Sequence, residues 1–520
     1  MTYVFRRAVA VAGACATAAV AIDAVRGDGD VASVARGGAR AAYAAVTVAR
    51  AVADYKTTSS EAMDAAHERC AVRLHAMCTA NGGLYVKAGQ FISTAGGVPL
   101  AYVRELSKLQ DEVAPADSRA VLAVVREEFG GVDAGDLFET FDPEPMAAAS
   151  LAQVHRAVLK GSGREVAVKI QRPGLEQTIE SDISTMASLV FFTKLAFPSF
   201  DFGFMVDEFR SRLEKEIDFE AEGRNCERMK RAFADDERID APSVEWNVTR
   251  KRVLTMEFVH GTKVTDIASM HKLGLDPKQA ALALSDAFAR MLLVHSFVHG
   301  DPHPGNVLVR EHPTRRGETQ VVLLDHGLYS ELDESARIAM SNLWVAIAVG
   351  DGDRAVAAAK RLRVPDEFTW LMPLALARKT TDGRDVDRKQ LEQQWADNKS
   401  KGGVGRPGIG EASLIGNNMP KEMIIVLRAN ALVRNVIKAL GNSHAGNISL
   451  LEAKRQWSNV RYAILGLCIP RGLGDSTIRT ASLGCRVKWR LRTVVVGARA
   501  TLSAFRRAFH RAKPIDIGST

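Results

Sequence analysis

The chain has 520 residues, of which 47% are hydrophobic and 25% charged, and this balance excludes a disordered polar chain while allowing two or more domains with substantial cores. The formal charge of +8 could serve nucleic acid, but aromatic residues make up only 6% and the basic residues are spread along the chain except at the two ends. Six cysteines without a C-x-x-C pair exclude a disulfide framework or a zinc ribbon and point to a reducing compartment.

The N-terminus carries Arg6 and Arg7 ahead of an uncharged Ala/Val-rich run, residues 8 to 22, which closes at Asp23. The run falls short of the roughly 20 residues a membrane span needs. Its Arg- and Ala-rich, acid-poor character fits an organellar presequence, and the cysteine usage argues against secretion. The expectation is a mitochondrial protein, with the plastid as the alternative. Helices are predicted over 41–55, 60–77, 100–112 and 118–129. His67, Cys70, His75 and Cys78 share one helical face, yet the ends of the set lie roughly 16 Å apart at 1.5 Å per residue, too far for one ion, so packing is the reading there.

Strands follow at 152–158, 165–171 and 252–259, with a long helical interval between the second and third. The strand EVAVKIQ carries Lys169, and it is preceded by MAAASLAQV. In protein kinases a phosphate-binding loop G-x-G-x-x-G-x-V stands at that interval before a V-A-I-K strand. Here the three glycine positions are Ala147, Ala149 and Ala152, with Ala148 and Ser150 between them and Val154 at the eighth position. Alanine is disfavoured in the positive-φ geometry that glycine provides and adds a methyl against a phosphate. The loop is therefore expected to cradle a terminal phosphate poorly.

Beyond Lys263 the pattern is helical again, interrupted by 299–329 and by a Gly/Asn-rich stretch, 398–418, that reads as a surface loop. VHGDPHPGNVLV places Asp301 five residues before Asn306, and VVLLDHGLY sets Asp325 at the end of an apolar strand. In kinase-type sites the first acid takes the acceptor's proton while the asparagine and the later aspartate hold magnesium against ATP. Lys169 would contact the phosphates, Met256 of VLTMEFV would line the back of the adenine pocket, and the backbone of Glu257 and Val259 would meet the adenine edge. Two protein-kinase features are missing: the residue before Asp301 is Gly300 rather than arginine, and a helix predicted over 335–349 follows Ser330 with no A-P-E element. A peptide platform is not legible, and the H-G-D run is as close to small-molecule kinases. From Arg486 to Lys513 nine Lys/Arg occur without an acid, among Val487, Trp489, Leu491, Val494, Leu502, Phe505 and Phe509, a composition suited to an anionic membrane surface. The thin aromatic content argues against nucleic acid as the partner.

Taken together, LYVKAGQ, AAASLAQVHRAVL, VAVKIQRPG, LEKEIDFEAEGRN, VLTMEFVHG, FVHGDPHPGNVLVR and VLLDHGLY resemble the aarF/UbiB atypical kinases, in particular the aarF-domain-containing kinase 1 type, across residues 35 to 460. The resemblance implies an α+β, bilobal protein-kinase-like fold with a helical N-terminal extension carrying a K-x-G-Q motif, Lys87 to Gln90, packed over the active site. It implies that Glu222 pairs with Lys169 and that Glu216 and Asp218, the E-x-D motif, engage Lys87. Read as one helix, LEKEIDFEAEGRN would project Glu216 and Glu222 about 120° apart and about 9 Å along the axis. It further implies an altered preference between ATP and ADP, suppressed self-phosphorylation and a role in lipid or ubiquinone homeostasis. The expected organisation is a targeting or membrane-proximal segment (1–34), the helical extension (35–138), a sheet-bearing lobe (139–262), a helical lobe with the catalytic loops (263–460) and a basic tail (461–520). The function expected is a kinase or ATPase acting on a small-molecule or lipid-related acceptor; a pseudokinase scaffold and a protein kinase remain the alternatives, and the acceptor and oligomeric state stay open.

Overall fold

A computed structural model describes residues 31–94, 98–110, 115–198, 201–380, 418–441, 455–456, 458–464 and 467. The basic tail apart from 461–464 and 467, the apolar run at 8–22 and nearly all of the 398–418 stretch lie outside these residues. Among them no helix is long and apolar enough to cross a membrane. The chain divides into two compact units, the first formed mainly by residues up to Arg224 with 243–258, the second by 225–242 and the chain from Val259 onward.

The first unit opens with helices α1 (Val31–Thr57), α2 (Met63–Asn81), α3 (Gly83–Thr94) and α4 (Leu100–Ser107). The helix predicted over 100–112 is thus shorter, giving way to a single 3-10 turn at Lys108–Gln110. The α2 to α3 junction is sharp because Gly82 and Gly83 both take positive φ, 65° and 48°, which only glycine adopts cheaply. A core of Ala44, Ala45, Met77, Tyr85, Val86, Leu106 and Leu109 joins these helices. Helix α5 (Ser118–Glu128) is capped by Asp117, whose carboxylate accepts from Arg119 and Ala120, and it buries Val121, Val124 and Val125 against the sheet that follows.

That sheet holds β1 (Phe138–Phe141), β2 (Ala147–Ala148), β3 (Ala152–Leu159) and β4 (Glu165–Gln171). Strand β3 alternates inward Ala157 and Leu159 with outward positions, and β4 does the same with Val166, Val168 and Ile170. Helices α6 (Leu175–Ala196), α7 (Gly203–Glu216) and α8 (Phe219–Ala232) come next. The chain then passes through β5 (Ile239–Asp240) of the second unit and returns with β6 (Val253–Glu257), so that the antiparallel order is β1-β3-β4-β6 with β2 on β3. The strand predicted over 252–259 stops at Glu257.

LEKEIDFEAEGRN is two helices rather than one. Helix α7 ends at Glu216 and α8 starts at Phe219, because the Asp218 carboxylate accepts from the Ala221 N–H 2.8 Å away and caps the new helix. The single-helix angle between Glu216 and Glu222 therefore does not apply.

The second unit continues with β7 (Thr262–Lys263), α9 (Pro277–Arg290), β8 (Phe297–His299), β9 (Val307–Glu311), β10 (Thr319–Leu323), β11 (Tyr329–Glu331), α10 (Glu334–Val349), α11 (Gly352–Arg361) and α12 (Lys421–Gly441). One sheet has the order β5-β10-β9-β7 and a two-stranded ribbon joins β11 to β8. Asp276 with Pro277 starts α9, Asp333 caps α10, and Trp344 and Arg337 of α10 are fully buried.

Candidate active site

Each unit carries one half of the chemistry read from the sequence. In the first, Lys169 lies at the middle of β4, paired across to Val154 on β3 and Leu254 on β6. Its Nζ donates to both carboxylate oxygens of Glu222, at 2.7 and 2.8 Å. Glu222 is only 1% exposed and Lys169 17%, so the pair is held in a dry setting where removing either partner strands a charge. The Phe219 ring lies 5.0 Å beneath the ammonium. Next to them Ala152, Leu254, Met256 and Phe219 form a small buried apolar cluster, with Ala167 half-buried at its edge. The N–H of Glu257 is taken by the Ser243 carbonyl at 2.8 Å and that of Phe258 by Glu165.

The alanine stretch is a β-hairpin. Ala147 pairs with Val154 and Ala148 with Gln153, and the Ala149 N–H donates to the Ala152 carbonyl at 2.8 Å. None of its residues has positive φ, so alanine costs nothing there. At the tip Ser150 is buried, and Leu151 packs into a core with Leu84, Leu175, Ile179, Phe209 and Leu213. Arg172 ties the turn down through its Nε to the Ala149 carbonyl at 2.8 Å. Leu151 and Arg172 thus hold this turn against the helices and the neighbouring strand.

Lys87 of α3 forms an ion pair with Glu216 at the end of α7, both about four-fifths buried. Asp218, the other acid of E-x-D, directs its carboxylate to the Ala221 N–H and, at 3.9 Å, to Arg224. Gln90 donates to the Leu109 carbonyl at 2.8 Å. Gly89 is required by packing: a Cβ there would stand 2.4 Å from Leu109 Cδ1 and 3.2 Å from Cys78 Sγ. Cys70 and Cys78 are buried core residues, and burial pushes the Cys78 thiol up to about 12. His67 bonds to the Tyr55 hydroxyl. Among the described residues no group of three or more His, Cys, Asp or Glu is placed to hold a metal ion.

In the second unit Asp301, Asn306 and Asp325 are gathered by backbone hydrogen bonds. Leu323 pairs with Val307 at the end of the β9–β10 hairpin, and just past it the Leu324 N–H donates to the Asn306 carbonyl at 2.9 Å. His299 bridges the other two: its Nδ1 accepts from the Asp301 N–H at 3.1 Å and its Nε2 donates to the Asp325 carbonyl at 2.7 Å. Burial pushes the His299 ring below the usual imidazole range, with Asp325 pulling the other way, which keeps it neutral and able to both accept and donate. His326 is likewise fixed, between the Tyr329 hydroxyl at 2.9 Å and the Leu323 carbonyl at 2.9 Å. The Asp325 carboxylate accepts from the Gly327 N–H at 3.0 Å.

The turn into this loop is strained. A π-helical turn, Met291–His295, ends α9, and Ser296 follows with φ 55°, buried. Gly300 has no space for a side chain, since a Cβ would lie 2.8 Å from Leu328 Cγ and 3.4 Å from Ile425. An arginine at that position, as in protein kinases, cannot fit. An arginine reaches Asp301 by another route: Arg428 of α12 stands 3.4 Å from one of its carboxylate oxygens. No local pattern flags Arg428, because it lies 127 residues away in the chain.

A strand lysine paired with a buried helix glutamate, an H-G-D loop with its asparagine, and a D-H-G turn on a mixed α+β framework define a kinase-like domain with a helical N-terminal region. The model of the ABC1 atypical kinase-like domain matches residues 108–359. The chain is 36% identical over 392 residues to AarF domain-containing protein kinase 1 of Gallus gallus, covering 75% of this chain and 74% of that protein. It is 36% identical over 393 residues to the Mus musculus protein of that name, covering 75% and 73%. It is also 34% identical over 404 residues to the probable serine/threonine-protein kinase abkD of Dictyostelium discoideum, covering 77% of this chain but only 56% of that protein. A solved structure titled as the complex of Rv3197 with erythromycin, from Mycobacterium tuberculosis, is similar at a TM-score of 0.45 and 22% identity, over 63% of this chain and 80% of that one. The chain belongs to the ABC1/aarF atypical kinase family, as its motifs led one to expect, and its named relatives are kinases or probable kinases.

Proposed function

We propose that the protein is a magnesium-dependent atypical kinase or ATPase acting on a small-molecule or lipid-related acceptor at a mitochondrial membrane. The observation that carries the reading is the His299 brace, which ties Asp301 to Asp325 while the β9–β10 hairpin brings Asn306 beside Asp325. Such a braced set holds its geometry before any substrate arrives, which is what electrostatic catalysis of phosphoryl transfer needs.

Asn306 and Asp325 supply hard oxygen donors suited to magnesium, which keeps several waters and takes one or two protein ligands. Magnesium bound there would neutralise phosphate charge. Lys169, oriented by Glu222, would hold the phosphates of ATP or ADP, with Ala147, Ala148, Ala149, Ser150, Ala152, Val154, Met256, Glu257 and Val259 around the nucleotide. Asp301 would take the acceptor's proton. Arg428 would compete with an acceptor hydroxyl for Asp301, and this contact favours hydrolysis over fast phosphorylation. Lys87, Gln90, Glu216 and Asp218 act as a structural gate in this reading. The membrane site and mitochondrial address rest on the basic tail and the N-terminal run, both read from sequence.

Calorimetry of the purified full chain with ATP and ADP, with and without magnesium, tests the reading. Micromolar binding that strengthens with magnesium is expected, with Asp325→Asn erasing the metal dependence. Hydrolysis should rise on anionic liposomes. Folded wild-type protein that binds no nucleotide would sink the proposal.

A further inference from the structure

Helix α12 carries a cation to the loop that holds Asp301, and the packing of the helix makes that cation a fixed part of the site. Along α12, Met423, Val426, Ala429 and Val433 are buried, and Ile425 lies against Gly300, where a Cβ would stand 3.4 Å from Ile425 Cγ2. Further along, the Asn430 amide donates to the Leu376 carbonyl at 3.1 Å and Arg434 to the Ala375 carbonyl at 2.8 Å, which fastens α12 to the end of the short helix Leu371–Ala377. Arg428 is three residues from Ile425, on the same face, and is directed at Asp301.

Its guanidinium is poorly satisfied. The side chain is 15% exposed, its one polar contact among the described residues is the 3.4 Å approach of Nη2 to Asp301 Oδ1, and Nε is buried without a hydrogen-bond partner. That approach is long for a charge-assisted hydrogen bond, which closes to about 2.7–2.9 Å. Arginine offers five N–H donors in a planar fork that matches the oxygens of a carboxylate or a phosphate, and here a single one meets a protein acceptor. Asp301 is about one-third exposed, so the pair is accessible to an incoming molecule.

Charge balance then decides which acceptors can enter. An uncharged alcohol that hydrogen-bonds to the Asp301 carboxylate draws it from Arg428 and strands a mostly desolvated guanidinium, which is costly. An acceptor with its own oxyanion beside the hydroxyl re-pairs the guanidinium as it frees Asp301, and no charge is left alone.

We propose that Arg428 is a specificity-determining residue of the kinase-like site and selects an acceptor that carries an oxyanion, phosphate or carboxylate, close to the hydroxyl to be phosphorylated. The inference rests on the kinase reading of Asp301 given above. In the step it serves, the acceptor oxygen bonds to the γ-phosphorus of ATP, the bond from that phosphorus to ADP breaks, and the hydroxyl proton passes to Asp301, while the acceptor's oxyanion stays on Arg428.

The test uses the purified full chain with magnesium and ADP present and three probes of one carbon skeleton: glycerol, glycerate and glycerol phosphate. By calorimetry at least one of the two oxyanions should bind about tenfold or more tighter than glycerol, the worth of one charge-assisted hydrogen bond. Arg428→Ala should remove that preference, and added guanidinium should restore part of it, which an arginine of purely structural role would not show. Arg428→Lys keeps the charge without the fork, should retain part of the preference, and serves if Arg428→Ala fails to fold. Vesicles separate the sources of the oxyanion: displacement of the soluble probe by phosphatidylglycerol vesicles but not by phosphatidylcholine vesicles assigns it to a lipid headgroup, and no displacement assigns it to a free molecule. Equal binding of glycerol and both oxyanions, or an oxyanion preference unchanged in Arg428→Ala and Arg428→Lys, would overturn the proposal. Magnesium nucleotide is titrated into the wild-type protein alongside: no nucleotide binding defeats the kinase reading itself, whereas nucleotide binding without an oxyanion preference defeats only the role of Arg428.

Discussion

The alanine hairpin of the first unit and the catalytic loop of the second are both loops that a kinase builds with glycine or strained backbone, and here they have diverged. The hairpin, residues 147–152, has ordinary dihedrals, paired amides and a leucine tip sunk in a helical core. The catalytic loop keeps its strain: Ser296 sits in the left-handed region and Gly300 faces Leu328 with no room for a methyl. Glycine is absent where backbone and packing allow an L-residue, and present where a neighbour's atoms forbid one. A loop fastened by a buried tip is a different device from one fixed by crowding and strain at its turn.

The largest effect on activity should come from the strained loop. Gly300→Ala forces the new methyl into Leu328, and overpacking of this kind costs about 1–3 kcal/mol with a shift of the adjacent Asp301. Urea unfolding and ATP hydrolysis should both fall, and Leu328→Ala in the same chain should restore part of each. If Gly300→Ala is neutral, the contrast between the loops loses one of its terms.

Comparable in stability but different in kind is Leu151→Ala. Truncating a buried leucine costs about 2–5 kcal/mol, and the loss should localise to the hairpin tip. Hydrogen exchange at the Ala149 amide should quicken far more than exchange in β9. Uniform quickening throughout the chain would show that Leu151 is simply a core residue and not a latch.

Both regions also hold a buried neutral histidine, and acid tests them together. His155, in β3 just after the hairpin, has its Nδ1 2.8 Å from the Asp142 carbonyl and its Nε2 2.8 Å from Gln153; His299 braces the catalytic loop. Burial lowers both from the usual imidazole value. A histidine held neutral in the fold takes up its proton on unfolding, so its contribution is whole above the unfolded value of about 6.5 and is lost as pH falls from there toward the lowered folded value. Stability measured by urea should drop between pH 7 and pH 5, by up to about 1.4 kcal/mol per pH unit for each histidine. His299→Gln should flatten the slope, and a slope unchanged by that replacement would remove the brace from the argument.

The smallest effect belongs to Ala149→Gly. The position does not need positive φ, so glycine only adds freedom to the unfolded chain and should destabilise by less than about 1 kcal/mol. Its informative readout is the ratio of ATP to ADP affinity, expected to shift as the turn loosens. An unchanged ratio would mean that the Leu151 latch alone sets the loop's behaviour.

Sequence by itself determined the class of the chain, the order of its elements and the identity of Lys169, Asp301, Asn306 and Asp325 as the candidate set. Those residues announce themselves because they sit in short local patterns, a lysine on an alternating strand and acids at fixed offsets from glycine, proline and asparagine. The partners decided by tertiary structure carry no such local signature. Arg428 reaches Asp301 from a helix 127 residues away, and Leu151 finds its core among helices α3, α6 and α7. The break of LEKEIDFEAEGRN into two helices was hidden for a related reason: Asp218 is an unremarkable helix surface residue until its side chain turns back to cap Ala221. Local periodicity reports on backbone hydrogen bonding within a segment, whereas a buried tip, an absent Cβ space or a distant arginine depends on which segments meet, and that is settled only when the core closes.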